Sequence, residues 1–176
     1  MKLIDSEAFL AWAKTLGIEQ DARYAEPRTL VYPENPLWYR WELDELARNP
    51  SIAELDHLFD RLLMAVDPWH YCRIWKRIPL WDYSDVHLWR LLIHEGLVPV
   101  GHTGALEFAS DERHQVKRVL LAQMSFGWTT YDDIYVVPDH GKVILTIDHG
   151  QEIVVAYRDE KDLRAFCGRA NVPVDL

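Results

Sequence analysis

The apolar positions in the first two thirds of the chain recur mostly at the spacing of α-helices. Phe9, Ala13 and Leu16 follow this spacing shortly after Ser6. A serine hydroxyl can accept hydrogen bonds from the open N–H groups of a first helical turn, so Ser6 is predicted to cap a helix. Gly17 is predicted to end that helix, because glycine readily adopts the left-handed conformation that closes many helices.

The clearest local signal is a second helix start at Ser51 and Glu54, which match the S-x-x-E capping box. In this motif each of the two side chains accepts a hydrogen bond from the backbone N–H of the other residue. The apolar residues after it are predicted to form one buried helix face, which consists of Ile52, Leu55, Phe59, Leu62, Leu63 and Val66.

Four further helices are predicted. One covers Leu37–Arg48, and a short one closes the chain at Glu160–Arg169. Another begins at Ser84 or Asp85, with an inward face formed by Val86, Trp89, Leu92 and Ile93. The fourth is capped by Ser110, and its core face is formed by Val116, Val119, Leu120 and Met124.

Beyond Gly127 the apolar period changes from about 3.6 residues to about 2, which is typical of strands. Three β-rich runs lie at Ile134–Val137, Val143–Ile147 and Ile153–Tyr157, and short glycine-containing turns separate them. Such spacing predicts consecutive hairpins, that is, an antiparallel meander.

These elements predict an α+β fold. Its helical N-terminal two-thirds would pack with a small C-terminal antiparallel β-meander that is followed by a short helix. No repeat, low-complexity stretch or Gly/Ser linker marks a boundary. A chain of 176 residues is long enough for one good hydrophobic core. Residues 1–176 are therefore predicted to form a single domain.

The charge balance restricts the class of partner. The chain has 28 acidic and 19 basic residues, for a net charge of −9. Such a surface repels nucleic acid and anionic membranes, and it favours a basic partner. A basic cluster of Arg73, Lys76 and Arg77 is expected to pair internally with acids of the flanking regions.

Targeting and cysteine signals indicate a cytoplasmic protein. Asp5 and Glu7 fall where a signal peptide needs an uninterrupted apolar core. The apolar runs are too short to cross a bilayer. Cys72 and Cys167 do not form a C-x-x-C pair, and buried thiols are expected.

The most unusual stretch is Trp38-Tyr39-Arg40-Trp41-Glu42-Leu43-Asp44-Glu45. On a helix the two tryptophans would share a face, and the acids would continue along it. Since Trp, Tyr and Arg dominate binding hot spots, this face is a candidate partner surface. The competing interpretation places both tryptophans in the core. The predicted partner-binding residues are Trp38, Tyr39, Trp41, Glu42, Asp44 and Glu45, with the acidic turn residues Asp132, Asp133 and Asp139 as a second group.

Asp-His-Gly occurs twice, at 139–141 and at 148–150. One interpretation is a metal-dependent hydrolase that uses Asp139, His140, Asp148 and His149. The other is turn chemistry, in which Asp bonds its own backbone and Gly supplies positive φ. The turn interpretation is favoured. No metal, cofactor or catalytic residue is assigned.

The C-terminal stretch resembles the closing meander and helix of some small bacterial immunity proteins. The resemblance rests on Asp132–Val137, Ile144–His149, Tyr157 and the Leu163–Phe166 helix, about 45 residues in all. Those proteins neutralise toxins that contact-dependent or type VI secretion systems deliver. The resemblance implies a cytoplasmic, acidic, single-domain inhibitor, and it assigns a role to no particular residue.

The sequence therefore predicts a non-catalytic inhibitor that binds one protein partner, a cognate toxin. Two alternatives stay open: the metal-dependent hydrolase, and a structural or assembly protein that associates with itself through its Trp-rich half. The oligomeric state is left open.

Overall fold

A seven-stranded antiparallel sheet organises the fold, and helices cover both of its faces. The computed structural model describes residues 1–21, 29–35, 38–42, 51–76, 80, 86–98, 103–126, 133–147 and 152–172. The strands in these ranges are β1 (Lys2–Asp5), β2 (Glu19–Gln20), β3 (Leu30–Val31), β4 (Trp38–Glu42), β5 (Tyr71–Lys76), β6 (Thr103–Ala109), β7 (Ile134–Pro138), β8 (Val143–Ile147) and β9 (Glu152–Tyr157). The α-helices in them are α1 (Ser6–Thr15), α2 (Ile52–Ala65), α3 (Val86–His94), α4 (Arg113–Phe126) and α5 (Glu160–Ala170).

The strand order in the large sheet is β1-β6-β5-β7-β8-β9-β4. Every pair of neighbours in it is antiparallel. The outermost strands, β1 and β4, both come from the first 42 residues. Strands β2 and β3 form a separate two-stranded unit beside α1. Within the described ranges, no helix combines the length and the apolar character that a membrane crossing requires.

Two layers of side chains sandwich the sheet. Helices α2, α3, α4 and α5 pack on one face, where Ile74 and Leu145 join their core. Helix α1 and strand β3 cover the other face, where Trp75 and Ile144 join a second cluster. Because successive residues of a strand point to opposite faces, burial on both sides makes a strand apolar throughout. All five positions of β7 and of β8 are buried accordingly.

The predicted layout of the fold is wrong. The sheet is large, and four of its seven strands, β1, β4, β5 and β6, lie before residue 110. The protein is mixed α and β, but the described part of its first two thirds contains four strands of the sheet beside its helices and is not predominantly helical. The predicted helix Leu37–Arg48 is replaced by β4 over Trp38–Glu42, and residues 43–48 lie outside the described ranges. Aromatic residues favour strands, and pairing with β9 overrides the helical spacing.

Two signals that are local in sequence, the capping box and the C-terminal meander, are confirmed. Helix α2 begins with the capping box: the Ser51 hydroxyl accepts from the Glu54 N–H at 3.3 Å, and the Glu54 carboxylate accepts from the Ser51 N–H at 2.7 Å. The predicted face of α2 is buried except for Ile52, which is exposed. The three C-terminal runs form the antiparallel series β7, β8 and β9, and α5 follows them.

Two helix starts differ slightly from their predictions. Asp5 rather than Ser6 caps α1, since its carboxylate accepts from the N–H groups of Glu7 and Ala8. A short 3-10 turn occupies residues 110–112, so α4 begins at Arg113 rather than directly after Ser110.

Arg73 joins β5 to β6 on the α1 side of the sheet. Its guanidinium donates to one oxygen of Glu107 at 2.9 and 2.6 Å and lies 4.1 Å from the ring centroid of Trp12. Trp12 in turn donates to the hydroxyl of Tyr71 at 3.0 Å. The expected internal pairing of the basic cluster is confirmed for Arg73, and Arg77 lies outside the described residues.

We expect the free energy of unfolding of Glu107→Gln to fall less steeply than that of the wild-type chain as the pH is lowered. Burial acts to raise the pKa of Glu107, but hydrogen bonds from Arg73 and Lys2 outweigh it and hold the pKa below its ordinary value. A lowered folded pKa stabilises the protein above the unfolded pKa, and this contribution is lost as the pH falls through the folded pKa. Urea denaturation at several pH values between roughly 3 and 7 measures how the free energy of unfolding changes with pH. Glu7→Gln is the control, and an unchanged slope in Glu107→Gln would contradict the prediction.

Candidate functional site

The first predicted partner surface lies on an edge strand rather than on a helix. Trp38 stands opposite Ala156 of β9, whose side chain belongs to the cluster beneath α1, and 37% of Trp38 is exposed. Its neighbour Tyr39 packs against the core on the other face. The shared helical face that joined Trp38 to Trp41 therefore does not form. The side chains of Trp41 and Glu42, and residues Asp44, Glu45 and Asp132 altogether, lie outside what the structure describes.

The other two described acidic candidates, Asp139 and Asp133, accept hydrogen bonds from groups within the protein. Asp139 accepts a hydrogen bond from the backbone N–H of His70 at 3.2 Å and lies 3.1 Å from the His70 ring. Its own N–H donates to the Tyr71 carbonyl. Asp133 accepts from the hydroxyl of Tyr135 at 3.2 Å. Asp139 thus fastens the β7–β8 turn to the start of β5.

His140 is engaged through both ring nitrogens. Its Nε2 lies 2.9 Å from the Val66 carbonyl oxygen, so it donates, and its Nδ1 accepts from the Lys142 N–H at 3.1 Å. These partners require the neutral tautomer with the proton on Nε2, which leaves no ring lone pair for a metal. Asp148 and His149, the other half of the proposed metal centre, lie outside the described residues. Among those that are described, no three His, Cys, Asp or Glu side chains are grouped to hold a metal ion.

A cleft of about 450 Å³ opens where the end of α1 meets the β2–β3 unit and the β7–β8 turn. We call it the acidic cleft. Its lining residues are Thr15, Leu16, Gly17, Glu19, Tyr32, Pro33, Glu34, His140 and Arg158. They come from four separate segments of the chain, which the fold brings together.

The floor of the acidic cleft is fixed by hydrogen bonds. The buried Tyr32 donates its hydroxyl proton to the Gly141 carbonyl at 3.1 Å, and burial raises the pKa of Tyr32. The Arg158 guanidinium lies 5.5 Å from the Tyr32 ring centroid and donates to the Leu16 carbonyl. Because Leu16 caps the carboxyl end of α1, a cation there also complements the helix dipole.

Two glycines bring the walls into contact. Gly17 and Gly141 have φ angles of +69° and +57°, a conformation that other residues rarely adopt. A Cβ atom on Gly141 would lie 3.0 Å from the Leu16 Cβ atom, and one on Gly17 would lie 3.2 Å from the Arg158 Nη2 atom. The cleft is therefore closely packed at its base.

Two carboxylates and one cation, Arg158, lie in the solvent-facing part of the cleft. Glu19 is half-exposed, and one of its oxygens lies 3.9 Å from the Lys14 Nζ atom. Glu34 is exposed, and it has no ion-pair partner in the part of the chain that the structure describes. Arg158, the cation in the wall, is directed to the Leu16 carbonyl. Glu34 is thus the carboxylate of the cleft that is open to a positively charged group, and Glu19 beside Lys14 is the second.

The outer side of α3 is a second exposed feature. Leu88 and Leu92 of this helix are buried, whereas Val86, Trp89 and Ile93 are 38%, 43% and 46% exposed. The prediction that these three residues face inward is wrong. The helix is apolar on nearly every side, so its pattern did not identify the buried face, and packing against α4 decides it.

Sequence reasoning missed the residues of the acidic cleft. The sequence predicts a helix end at Gly17 and a turn at Gly141. Neither signal indicated that these two turns meet, because they are distant in the chain. Glu19, Glu34 and Arg158 carry no motif.

Comparisons with protein-family models, with curated proteins and with solved structures give no match.

Proposed function

We propose that this protein is a non-catalytic inhibitor that binds a basic partner protein, a bacterial toxin of the kind that contact-dependent or type VI secretion systems deliver. The observation that carries the proposal is the acidic cleft, in which the exposed carboxylate of Glu34, with Glu19 beside Lys14 as a second, lies above a fixed floor. An inhibitor of a toxin that acts inside the cell would work in the cytoplasm, the compartment that the sequence predicts.

A lysine or arginine side chain of the partner fits the chemistry of the cleft. Its charged end would meet the carboxylates of Glu34 and Glu19, and hydrogen bonds between ionised groups are stronger than neutral ones. Its aliphatic stem would lie along Pro33 and the ring of Tyr32, as long basic side chains commonly do on apolar surfaces. Because hydrogen bonds already hold the floor, binding would order little of the cleft.

The charge of the whole chain supports the same kind of partner. With 28 acidic and 19 basic residues the protein attracts a basic surface at long range. Such attraction mainly raises the association rate, and salt weakens it. The sequence of the β7–β9 meander and α5 resembles that of immunity proteins, which agrees with this function and does not depend on the cleft.

Co-expression with the product of the neighbouring gene tests the proposal, because a toxin and its antidote must be inherited together. We expect that product alone to stop the growth of a bacterial host and this chain to restore growth. The purified pair should form a complex whose association rate falls as the salt concentration rises.

Asp111→Lys supplies a matched control for charge. Asp111 is an exposed acid outside the cleft, so its reversal changes the net charge as much as Glu34→Lys does. Asp111→Lys should retain neutralisation, whereas Glu34→Lys should weaken it. A neighbouring product that is harmless, or that stays toxic in the presence of this chain, would overturn the proposal.

A further inference from the structure

We propose that Asn35 is a positioning residue of the acidic cleft, because its side chain fixes the turn that presents the carboxylate of Glu34. This inference rests on the proposed function and deepens it. Asn35 is half-buried and is not among the residues that line the cleft. It therefore acts on the partner through Glu34 and does not touch the incoming basic group itself.

The position of Glu34 depends on its backbone. The residue is exposed, and its carboxylate forms no ion pair or hydrogen bond with the described residues. Glu34 is the third residue of a four-residue turn that begins at Tyr32 and ends at Asn35. Pro33 occupies the second position, where its fixed φ angle favours such a turn. The place of the carboxylate is therefore set by whatever holds this turn.

The side chain of Asn35 ties the turn to the sheet. In the described part of the chain one backbone hydrogen bond closes the turn, from the Asn35 N–H to the Tyr32 carbonyl at 3.0 Å. The Asn35 Nδ2 atom also donates to the carbonyls of Tyr157 at 3.2 Å and Arg158 at 3.3 Å. An amide nitrogen carries two hydrogens, so one can serve each carbonyl. The exposed turn is thus fastened to the end of β9.

The groups to which the turn is fastened are held in place as well. The Arg158 N–H donates to the Lys142 carbonyl at 3.0 Å, and the Arg158 guanidinium donates to the carboxyl end of α1. At the other end of the turn, the hydroxyl of the buried Tyr32 donates to the Gly141 carbonyl. Both ends of the turn are therefore connected to the floor of the cleft. Because ordering a loop during binding costs free energy, a turn that is already fixed strengthens binding.

A double-mutant cycle with Asn35→Ala and Glu34→Ala tests the proposal, and the purified product of the neighbouring gene is the probe. In the wild-type chain Asn35→Ala should weaken binding by about tenfold, mainly through faster dissociation. In the Glu34→Ala chain the same substitution should change the affinity by less than about twofold, because the carboxylate through which Asn35 acts is gone. Surface plasmon resonance measures both rates. Equal losses of affinity in the two chains would overturn the proposal.

Asn35→Asp separates positioning from charge. At neutral pH the new carboxylate cannot donate to the two carbonyls, but it adds a negative charge beside the cleft. Charge alone speeds association with a basic partner, and Ala53→Asp, at an exposed position of α2 outside the cleft, controls for that effect. The complex of Asn35→Asp should dissociate about tenfold faster than that of Ala53→Asp. Equal dissociation rates would contradict a positioning role.

The free protein supplies a readout that needs no partner. The NMR order parameter of the Glu34 backbone should be near about 0.85 in the wild-type chain and should fall toward about 0.6 in Asn35→Ala. Urea denaturation shows that each variant is folded. An unchanged order parameter would overturn the proposal. If the order parameter falls as expected but the wild-type chain does not bind the neighbouring product, the proposed function fails and the role of Asn35 in fixing Glu34 stands.

Discussion

The combined variant Glu19→Lys/Glu34→Lys should bind the partner about a hundredfold more weakly than the wild-type chain and should fail to protect a host from it. Two attractive contacts are lost, and two cations are placed where the partner's basic side chain would enter. Placing like charges together at an interface costs several kcal/mol, which exceeds the effect of removing either carboxylate alone. Calorimetric titration with the purified toxic neighbour measures the change.

The fold of this variant should be intact, because Glu34 is exposed and Glu19 makes one long contact with Lys14. Its denaturation midpoint should therefore stay close to that of the wild-type chain. Asp111→Lys again controls for net charge. If the double variant bound as well as the wild-type chain did, the acidic cleft would not be the partner site.

Trp75→Ala should lower the free energy of unfolding by about 3–5 kcal/mol. Trp75 is 2% exposed, and its ring stacks on Phe9 at a centroid distance of 5.5 Å and lies 5.4 Å from the ring of Tyr135. The alanine leaves a cavity between α1 and the sheet, since surrounding side chains relax only in part. Urea denaturation followed by circular dichroism measures the loss.

Two further variants serve as controls for the loss of stability in Trp75→Ala. Trp75→Phe keeps a stacked ring and removes an indole N–H that has no hydrogen-bond partner among the described residues, so it should leave a smaller cavity and cost less stability than Trp75→Ala. Trp89→Ala, at a position that is 43% exposed, should cost less stability than Trp75→Ala, because less of the Trp89 side chain is buried. Equal losses in Trp75→Ala and Trp89→Ala would contradict the division between core and surface.

The parts of the fold that the sequence predicted correctly depend on neighbouring residues. The capping box at Ser51 and Glu54 is closed by hydrogen bonds within one helical turn. The strands of the β7–β9 meander pair with the strands next to them in the chain. Such signals remain visible in a single sequence because their physical partners are a few residues away.

The parts that were missed depend on distant partners. Strand β1 pairs with β6, and β4 pairs with β9, across most of the chain. Hydrophobic periodicity states which face of a segment is apolar, but it does not state what covers that face. For this reason the predicted helix Leu37–Arg48 is wrong over Trp38–Glu42, where β4 forms instead.

The candidate site was harder to predict than the fold. Each residue of the acidic cleft has an ordinary local role, such as the helix end at Gly17 or the turn at His140. Their chemistry arises only when four segments meet, and no motif in the sequence marks that meeting. The acidic composition nevertheless predicts a basic partner, which is also the kind of partner proposed for the cleft.

The strand order has a consequence for synthesis on the ribosome. The edges of the sheet, β1 and β4, are translated first, whereas β9, on which β4 pairs, is translated last among the strands. A half-made chain therefore carries strands whose hydrogen-bonding partners do not yet exist, and unpaired strands readily join those of other chains. The order in which the protein is made is thus opposed to the order in which its sheet can close.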